Sequence, residues 1–458
     1  MTTDVRPGAD LRMAWLLTRG SDRREWWRIG LTAVGAALAT GIGLAAVALN
    51  SLDGYYSVSF GSGLLDSSSD RRNVGLVLLM LLVPVLGFLG QCARIGAVHR
   101  DRRLAALRLA GAGPWQVRRI AALESGPACL AGSVAATAVL VPVMLRVWER
   151  PDAAAWAGIA LVAAAVPLLG AAVSALSLRR VVSSPLGWVR RIRPVWGPGR
   201  VLRMVVCLLG AAALFVGLSS FFGGPIEVAL GPPTLFAVVL VVGAATVSLA
   251  GTAARRLGEV LAARAQGPAM LIAAERLRDD PWAAARTHAS VLLVTVVGAG
   301  FVGVREVLLD VLRTMRREGT LGTHMSYYTT GLDLTAGAIL VALALVLTGL
   351  AVGTLESLAT RRRGLAAQVA AGVPYGVLAR ALLLETALPL APAVLLAGVG
   401  GTGISVWYTA LASRGTATGF PYATLLVPLG VYAACLLAAA TSLPLLRRSV
   451  RPAELRYA

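Results

Sequence analysis

The residues that could carry chemistry are few and lie far apart in this sequence. The chain has three histidines, and no two of His99, His288 and His324 stand at a spacing typical of zinc ligands. Its four cysteines lie in or beside apolar stretches, which is typical of buried structural thiols. The sequence offers no pairing of a nucleophile with a base that could activate it. We therefore expect no catalytic residue, no metal site and no enzymatic activity in this chain.

Phosphate-binding motifs are also missing or out of place. All 43 basic residues are arginines, so the P-loop motif G-x-x-x-x-G-K-[ST], which needs a lysine, is absent. Two matches to G-x-G-x-x-G, at 298–303 and 398–403, lie in apolar stretches, where close helix packing explains them better than a dinucleotide site. If the protein uses ATP, another chain must bind it, and we expect no cofactor in this one.

The elements that must position every polar residue are long apolar segments. Hydrophobic residues make up 57% of the chain and charged residues 14%, which excludes a soluble protein of 458 residues. Ten runs of about 20 apolar residues are each long enough to cross a bilayer as a helix. The predicted fold is therefore an all-α polytopic membrane protein with ten transmembrane helices. The ten predicted spans are 29–49, 74–97, 121–145, 154–177, 202–222, 233–253, 288–309, 335–357, 379–403 and 422–446.

The distribution of arginine orients these spans. With the N-terminus in the cytoplasm, 34 of the 43 arginines fall on the inner side, as the positive-inside rule requires. Both termini are then cytoplasmic, and the net charge of +20 belongs to loops that flank the lipid bilayer of the cell membrane rather than to a nucleic-acid site. Arginine in place of every lysine indicates a GC-rich bacterial genome. The nine arginines on the outer side are Arg71, Arg72, Arg146, Arg150, Arg305, Arg313, Arg316, Arg317 and Arg414.

An internal repeat is the most informative feature of the sequence. Residues 102–125, which we call the first repeat segment, align with residues 363–386, the second repeat segment, at a constant offset of 261. Nine of these 24 positions are identical. We therefore predict two four-span units, 1–183 and 266–458, joined by spans 5 and 6 within 184–265. The identical pairs include Arg102/Arg363, Leu104/Leu365, Ala105/Ala366, Ala106/Ala367, Gly111/Gly372, Arg119/Arg380 and Glu124/Glu385.

Each repeat segment has a basic start, a Leu-Ala-Ala run and then a glycine. Alanine and leucine favour a helix, whereas Gly111 and Gly372 suit a turn or a helix C-cap. The pattern predicts a short helix, a turn, and a second helix that leads into the next span. Such a compact surface either docks into a groove on a soluble partner or is a simple interfacial loop, and the residues alone leave both interpretations open.

At these residues the sequence resembles the FtsX-like permease family of ABC transporter subunits, which includes MacB-type and BceB-type permeases. The family has a basic–acidic start, a Leu-Ala-rich run ending near a glycine, and a later glutamate. Asp101 fits the acidic position of the first copy, whereas the second copy has Thr360 followed by three arginines. Arg102–Gly113 with Glu124 and Arg363–Pro374 with Glu385 match this pattern. The tail Arg451–Arg456 resembles the Pro-Ala-x-x-Leu-Arg ending of the family's units. Ten spans with two units in one chain is similar to the BceB-type layout.

The resemblance implies a permease served by a separate ABC ATPase, in two copies, which binds ATP and magnesium. It also implies that Arg102–Gly113 and Arg363–Pro374, which lie in the two repeat segments, are the docking sites for that ATPase. The outer loops, at about 50–73 and 310–334, hold only some 25 residues each, so the large extracellular domain of many family members is lacking. The implied docking residues are Arg102, Leu104, Ala105, Ala106 and Gly111, with Arg363, Leu365, Ala366, Ala367 and Gly372.

The implied function is ATP-driven movement or expulsion of a hydrophobic or amphipathic substrate, such as an antimicrobial peptide, a drug or a lipid. The alternative is a non-transporting transducer that relays ATPase motion to a cell-wall hydrolase or a sensor kinase. An ion-coupled secondary transporter is disfavoured because the spans carry almost no charged pairs. Glu124 and Glu385 either form structural ion pairs with nearby arginines or help transmit ATPase motion to the spans.

Residues 304–315 carry an amphipathic pattern beyond the outer end of span 7. Six apolar residues recur at helical spacing, and charged residues cover the other face. This pattern predicts that span 7 continues outward as a helix. Its apolar face either packs on the protein or the lipid headgroups, or contacts a substrate or partner.

Overall fold

The computed structural model describes most of the two predicted repeat units. Within the described residues every regular element is helical, and nine helices are long and apolar enough to span a membrane. These nine correspond to predicted spans 1–4 and 6–10, which confirms the all-α polytopic membrane fold. Predicted span 5, at 202–222, and the tail Arg451–Arg456 lie outside the described residues. The residues described are 23–52, 54–55, 62–92, 106–107, 109–147, 151–177, 232–412, 419–444 and 446.

The chain divides into two compact units. The first holds the described residues within 1–58 and 65–193, and the second holds those within 59–64 and 194–458. The predicted three-part division of the chain, with boundaries at 183 and 265, stays a prediction.

The described part of the first unit contains four long helices, and one of them touches the other three. The first helix of the unit packs against the second, the third and the fourth, and the third also packs against the fourth. The fourth helix begins where the Asp152 side chain accepts a hydrogen bond from the backbone N–H of Ala155 (2.9 Å), a typical N-cap. The four helices are α1 (Arg23–Ser51), α2 (Ser68–Cys92), α3 (Pro114–Val147) and α4 (Ala153–Ser177).

The described part of the second unit contains the four helices of the second predicted copy together with three further helices. Its described helices are α5 (Pro232–Arg264), α6 (Pro268–Asp279), α7 (Pro281–Arg317), α8 (Met325–Thr360), α9 (Arg362–Ala370), α10 (Tyr375–Ala412) and α11 (Leu426–Ala440), with a 3₁₀ turn at Tyr422–Leu425. Helix α7 packs against α5, α8, α10 and α11, and α5 packs against α6 and α10.

The same four helix pairings occur in both units. Helix α1 packs against α2, α3 and α4, just as α7 packs against α8, α10 and α11. Helix α3 packs against α4, just as α10 packs against α11. The most extensive interface of each unit is the equivalent one, α1 with α3 and α7 with α10. This shared pattern supports the duplication that the sequence predicts.

Glycines allow the central helices of each unit to approach closely. A Cβ atom built on Gly132 would lie 2.0 Å from the carbonyl oxygen of Ala33, and one built on Gly401 would lie 2.5 Å from the carbonyl oxygen of Val296. The G-x-G-x-x-G match at 298–303 faces the same α7–α10 interface and α11. The interpretation of that match as close helix packing is therefore confirmed.

Several helices are longer than the apolar runs that predicted them. Helix α10 has 38 residues and α7 has 37, so each is about 55 Å long, against a hydrocarbon core of about 30 Å. Four helices begin at a proline, whose fixed φ suits the first helical turn. These start sites are Pro114, Pro232, Pro268 and Pro281.

One of the outer arginines is buried in the loop between α1 and α2. Arg71 is 1% exposed, and its guanidinium donates hydrogen bonds to four backbone carbonyls. Its Nη1 donates to Leu65 and Asp66, and its Nη2 donates to Leu52 and Gly54. The arginine therefore ties the end of α1 to the turn that precedes α2, which gives it a structural role on the predicted outer side.

The predicted continuation of span 7 as a helix is confirmed, because α7 runs without a break to Arg317. That this extension lies on the outer side stays a prediction. An ion pair between Arg305 and Asp333 (2.9 Å) ties this extension to α8. Leu312 is 4% exposed, whereas Val311 remains 43% exposed. The apolar face of the extension is therefore covered only in part.

Candidate functional site

The two repeat segments share one local structure around their glycines. Gly111 has φ +99° and Gly372 has φ +89°, the left-handed region that a residue with a Cβ atom adopts only under strain. A Cβ atom at either position would meet nothing within 4 Å, so the backbone conformation alone requires glycine. The prediction that these glycines form a turn at the end of a helix is confirmed.

Equivalent backbone hydrogen bonds close both turns. In the second segment the N–H of Val373 donates to the carbonyl of Gln368 (3.0 Å), the six-to-one bond of a Schellman motif. In the first segment the N–H of Ala112 donates to the carbonyl of Leu107 in the same way (2.9 Å). The donors and acceptors correspond at the offset of 261, so the repeat extends to backbone geometry.

The second repeat segment is held to its unit by apolar contacts from one face of α9. Leu365 is 3% exposed and packs in a cluster with Leu358 of α8, Leu378 of α10 and Leu446. Ala366 is also buried. These two predicted docking residues therefore anchor the segment internally, and their side chains are not available to a partner.

The opposite face of the second segment consists of small exposed residues. Ala367 and Gly372, both predicted to contact a partner, are exposed, and so are the neighbouring residues Gly364, Ala370 and Ala371. Arg363 lies in the first turn of α9, and the structure describes its backbone but not its side chain. A partner that docks here would contact alanine and glycine residues, whose side chains are small or absent.

The first repeat segment is described only from Ala106 onwards. Arg102, Leu104 and Ala105 lie outside the described residues, whereas Ala106 and Gly111 are exposed. Two large apolar side chains flank the turn and are also exposed, Leu109 at 62% and Trp115 at 74%. The sequence analysis did not select these two residues. The signal that could have found them is the difference between the copies, because the second segment has Ala370 and Gly376 at the equivalent positions.

Glu385 joins three elements of the second unit through two ion pairs. It contacts Arg276 of α6 and also Arg361, which lies between α8 and α9 (2.9 Å). The Glu385 side chain is only 17% exposed, so this carboxylate is shielded and doubly paired. The ion pairing predicted for Glu385 is present. Its equivalent in the first unit, Glu124, is 6% exposed.

A cavity of about 570 Å³ with both polar and apolar lining residues lies beside these ion pairs within the second unit. Hydroxyl groups of Thr354 and Ser357 on α8 and of Thr386 on α10 line it, together with the buried His288 of α7. Glu385 also borders it. Among the described residues, no group of three His, Cys, Asp or Glu side chains is placed to hold a metal ion.

Comparison with known proteins identifies one domain in the chain. The family model for the FtsX-like permease C-terminal domain matches residues 74–186, a range that includes most of α2, the first repeat segment, α3 and α4. No curated protein and no solved structure matches the chain. The resemblance to the FtsX-like permease family is thus supported by an independent comparison, which covers residues 74–186. FtsX-like permeases are non-catalytic transmembrane components of ABC systems, and they generally partner with an ABC ATPase.

Proposed function

We propose that this protein is the permease subunit of an ABC complex in which a separate ATPase docks on the two repeat segments, one copy on each. The proposal assigns both segments and both termini to the cytoplasm, in keeping with the arginine distribution. The observation that carries it is the shared glycine turn of the two segments, one of which lies in the matched FtsX-like domain. ATP and magnesium would be bound by the partner.

The packing of α9 suggests how ATPase motion would reach the spans. A partner pressing on the exposed face of α9 would move Leu365, whose apolar cluster connects α9 to α8 and α10. The ion pair between Arg361 and Glu385 adds a second connection from the α8–α9 junction to α10. Because α10 has its largest interface with α7, the two helices at the centre of the unit would shift together. The moving units would then displace a hydrophobic or amphipathic substrate.

A second candidate is a transducer that moves no substrate but acts on an extracellular hydrolase or on a sensor kinase. The outward extension of α7 favours it, since Leu308 and Val311 there are 37% and 43% exposed. An extracellular partner could contact this surface. Substrate-stimulated ATPase activity would favour transport, and its absence together with co-purification of a hydrolase or kinase would favour the transducer.

The docking claim can be tested with glycine substitutions. The change Gly111→Val or Gly372→Val places a β-branched residue in the left-handed region, at a cost of about 1–3 kcal/mol to the turn. In pull-downs from detergent-solubilised membranes, we expect each single variant to lose one of the two copies of the ABC ATPase that co-purifies with the unsubstituted chain, and the double variant Gly111→Val/Gly372→Val to lose both. Gly319→Val is the matched control, because Gly319 also has positive φ (+71°) and open space but lies on the predicted outer side. Full retention of the ATPase by the double variant would exclude docking at these turns, whereas Gly319→Val should keep both copies.

A further inference from the structure

The two repeat segments share a backbone geometry but not a surface. At equivalent positions the first segment has Leu109 and Trp115, 62% and 74% exposed, where the second has Ala370 and Gly376. The second-segment positions are exposed as well, so the difference is one of side-chain size and not of burial. Two large apolar groups therefore project beside the first turn, and none projects from these positions beside the second.

Exposed leucine and tryptophan side chains of this kind are typical of a protein interface. Tryptophan is enriched among the residues that dominate binding energy, and it buries a large apolar area when it enters a partner's pocket. Small residues such as alanine and glycine permit close approach but contribute little apolar area of their own. The same partner would therefore bury more apolar area, and bind with a more favourable free energy, at the first segment than at the second.

The position of these side chains favours a soluble partner over the hydrocarbon core as their occupant. Trp115 is the first residue of the candidate span Trp115–Arg146, but Arg118 and Arg119 follow it, and the predicted apolar run begins only at 121, six residues or about 9 Å of helix further on. Leu109 lies further away along the chain. Both residues fall within the matched domain at 74–186, whose family generally partners with an ABC ATPase. The second segment lies outside the matched range.

We propose that the two segments are unequal docking sites for the ATPase. Leu109 and Trp115 insert into an apolar pocket of the ATPase copy that binds the first segment, and this copy is held tightly. The copy on the second segment makes contact through small residues and is held more weakly, so the complex fills the first site before the second. This inference rests on the proposed function, because it presumes that an ATPase docks on both segments.

Reciprocal substitutions at the equivalent positions test the inequality. The Leu109→Ala/Trp115→Gly variant makes the first surface like the second, and the Ala370→Leu/Gly376→Trp variant makes the second like the first. Gly376 has no neighbour within 4 Å of a built Cβ atom, so the larger side chain can be accommodated. Permease in nanodiscs is titrated with the ATPase that co-purifies with the unsubstituted chain, and native mass spectrometry gives occupancy at each concentration.

We expect the unsubstituted permease to bind one ATPase at least tenfold more tightly than the second. The Leu109→Ala/Trp115→Gly variant should lose the tight site and retain two weak ones, and the reciprocal variant should show two tight sites. Should the first variant fold poorly, as judged by its thermal unfolding midpoint, the reciprocal variant alone decides. Equal affinities in the unsubstituted protein, or no change in the reciprocal variant, would overturn the inference while leaving docking intact. If no ATPase binds the unsubstituted chain at all, the proposed function itself fails.

Discussion

The internal repeat predicted Glu385 as a candidate site residue but did not predict its ion-pair partners. The residue could be predicted because it recurs at the same offset as Glu124, beside matching arginine and glycine positions. Its two partners could not be predicted. Arg276 is 109 residues away in sequence, and Arg361 is one of three consecutive arginines with nothing to distinguish it. Only the packing of α6 against α10 brings Arg276 to the carboxylate.

Removing the charge of Glu385 should destabilise the second unit. The change Glu385→Gln breaks two ion pairs at a shielded position and leaves Arg276 and Arg361 near each other without a shared anion. We expect a loss of about 1–2 kcal/mol in the free energy of unfolding, between the values typical of exposed and of buried pairs. Thermal unfolding of the purified protein, followed by tryptophan fluorescence or circular dichroism, measures the effect.

A matched control for this substitution exists in α5. Glu259 pairs with Arg255 at 3.0 Å, but its side chain is 48% exposed, so Glu259→Gln should cost about 0.5 kcal/mol or less. Equal losses in the two variants would contradict a structural role for the Glu385 pairs. A Glu385→Gln variant that unfolds normally but no longer couples substrate to ATPase activity would instead favour the transmitting role.

At the scale of helices, composition predicted which segments are helical but not where they end. Apolar runs end where polar residues begin, whereas the backbone hydrogen bonds of a helix continue as long as one face of the helix packs against its neighbours. Helix α10 was expected over 379–403, yet it extends from Tyr375 to Ala412. The prolines at several helix starts were a usable signal, because proline fits the first turn of a helix and not its interior.

Close packing of α1 on α3 should depend on one glycine. The change Gly132→Ala places a Cβ atom 2.0 Å from the carbonyl oxygen of Ala33, so the helices must separate. We expect a loss of about 1–3 kcal/mol, as is typical of overpacked interfaces, measured from the unfolding midpoint in detergent.

The same helix contains the control. At Gly126 a Cβ atom would lie 4.0 Å from the Cβ of Ala171, an ordinary contact, so Gly126→Ala should be neutral or stabilise the helix by up to about 1 kcal/mol. If both alanine variants of α3 behaved alike, the close approach of α1 and α3 would not be required for stability.

For the whole molecule, the internal repeat predicted the two-unit architecture and the charge distribution predicted the orientation in the membrane. No single motif predicted either. The family match covers one copy, yet the second unit repeats its helix pairings and its glycine turn. The duplication was predicted from the sequence because arginine, glycine and glutamate match at one offset within otherwise monotonous apolar sequence. The unequal surfaces of the two segments were not apparent, because the sequence does not show that the side chains of Leu109 and Trp115 are exposed.

The charge distribution also makes a prediction about orientation that chemical labelling can test. Gln116, beside the first turn, and Glu318, at the outer end of α7, are both exposed, and they are predicted to lie on opposite sides of the membrane. In a variant without native cysteines, Glu318→Cys should react with a membrane-impermeant maleimide in intact cells, whereas Gln116→Cys should react only after permeabilisation. The reason is energetic, since the opposite orientation would place 34 of the 43 arginines outside the cytoplasm. Labelling of Gln116→Cys in intact cells would reverse the orientation and, with it, remove both repeat segments from the reach of any cytoplasmic ATPase.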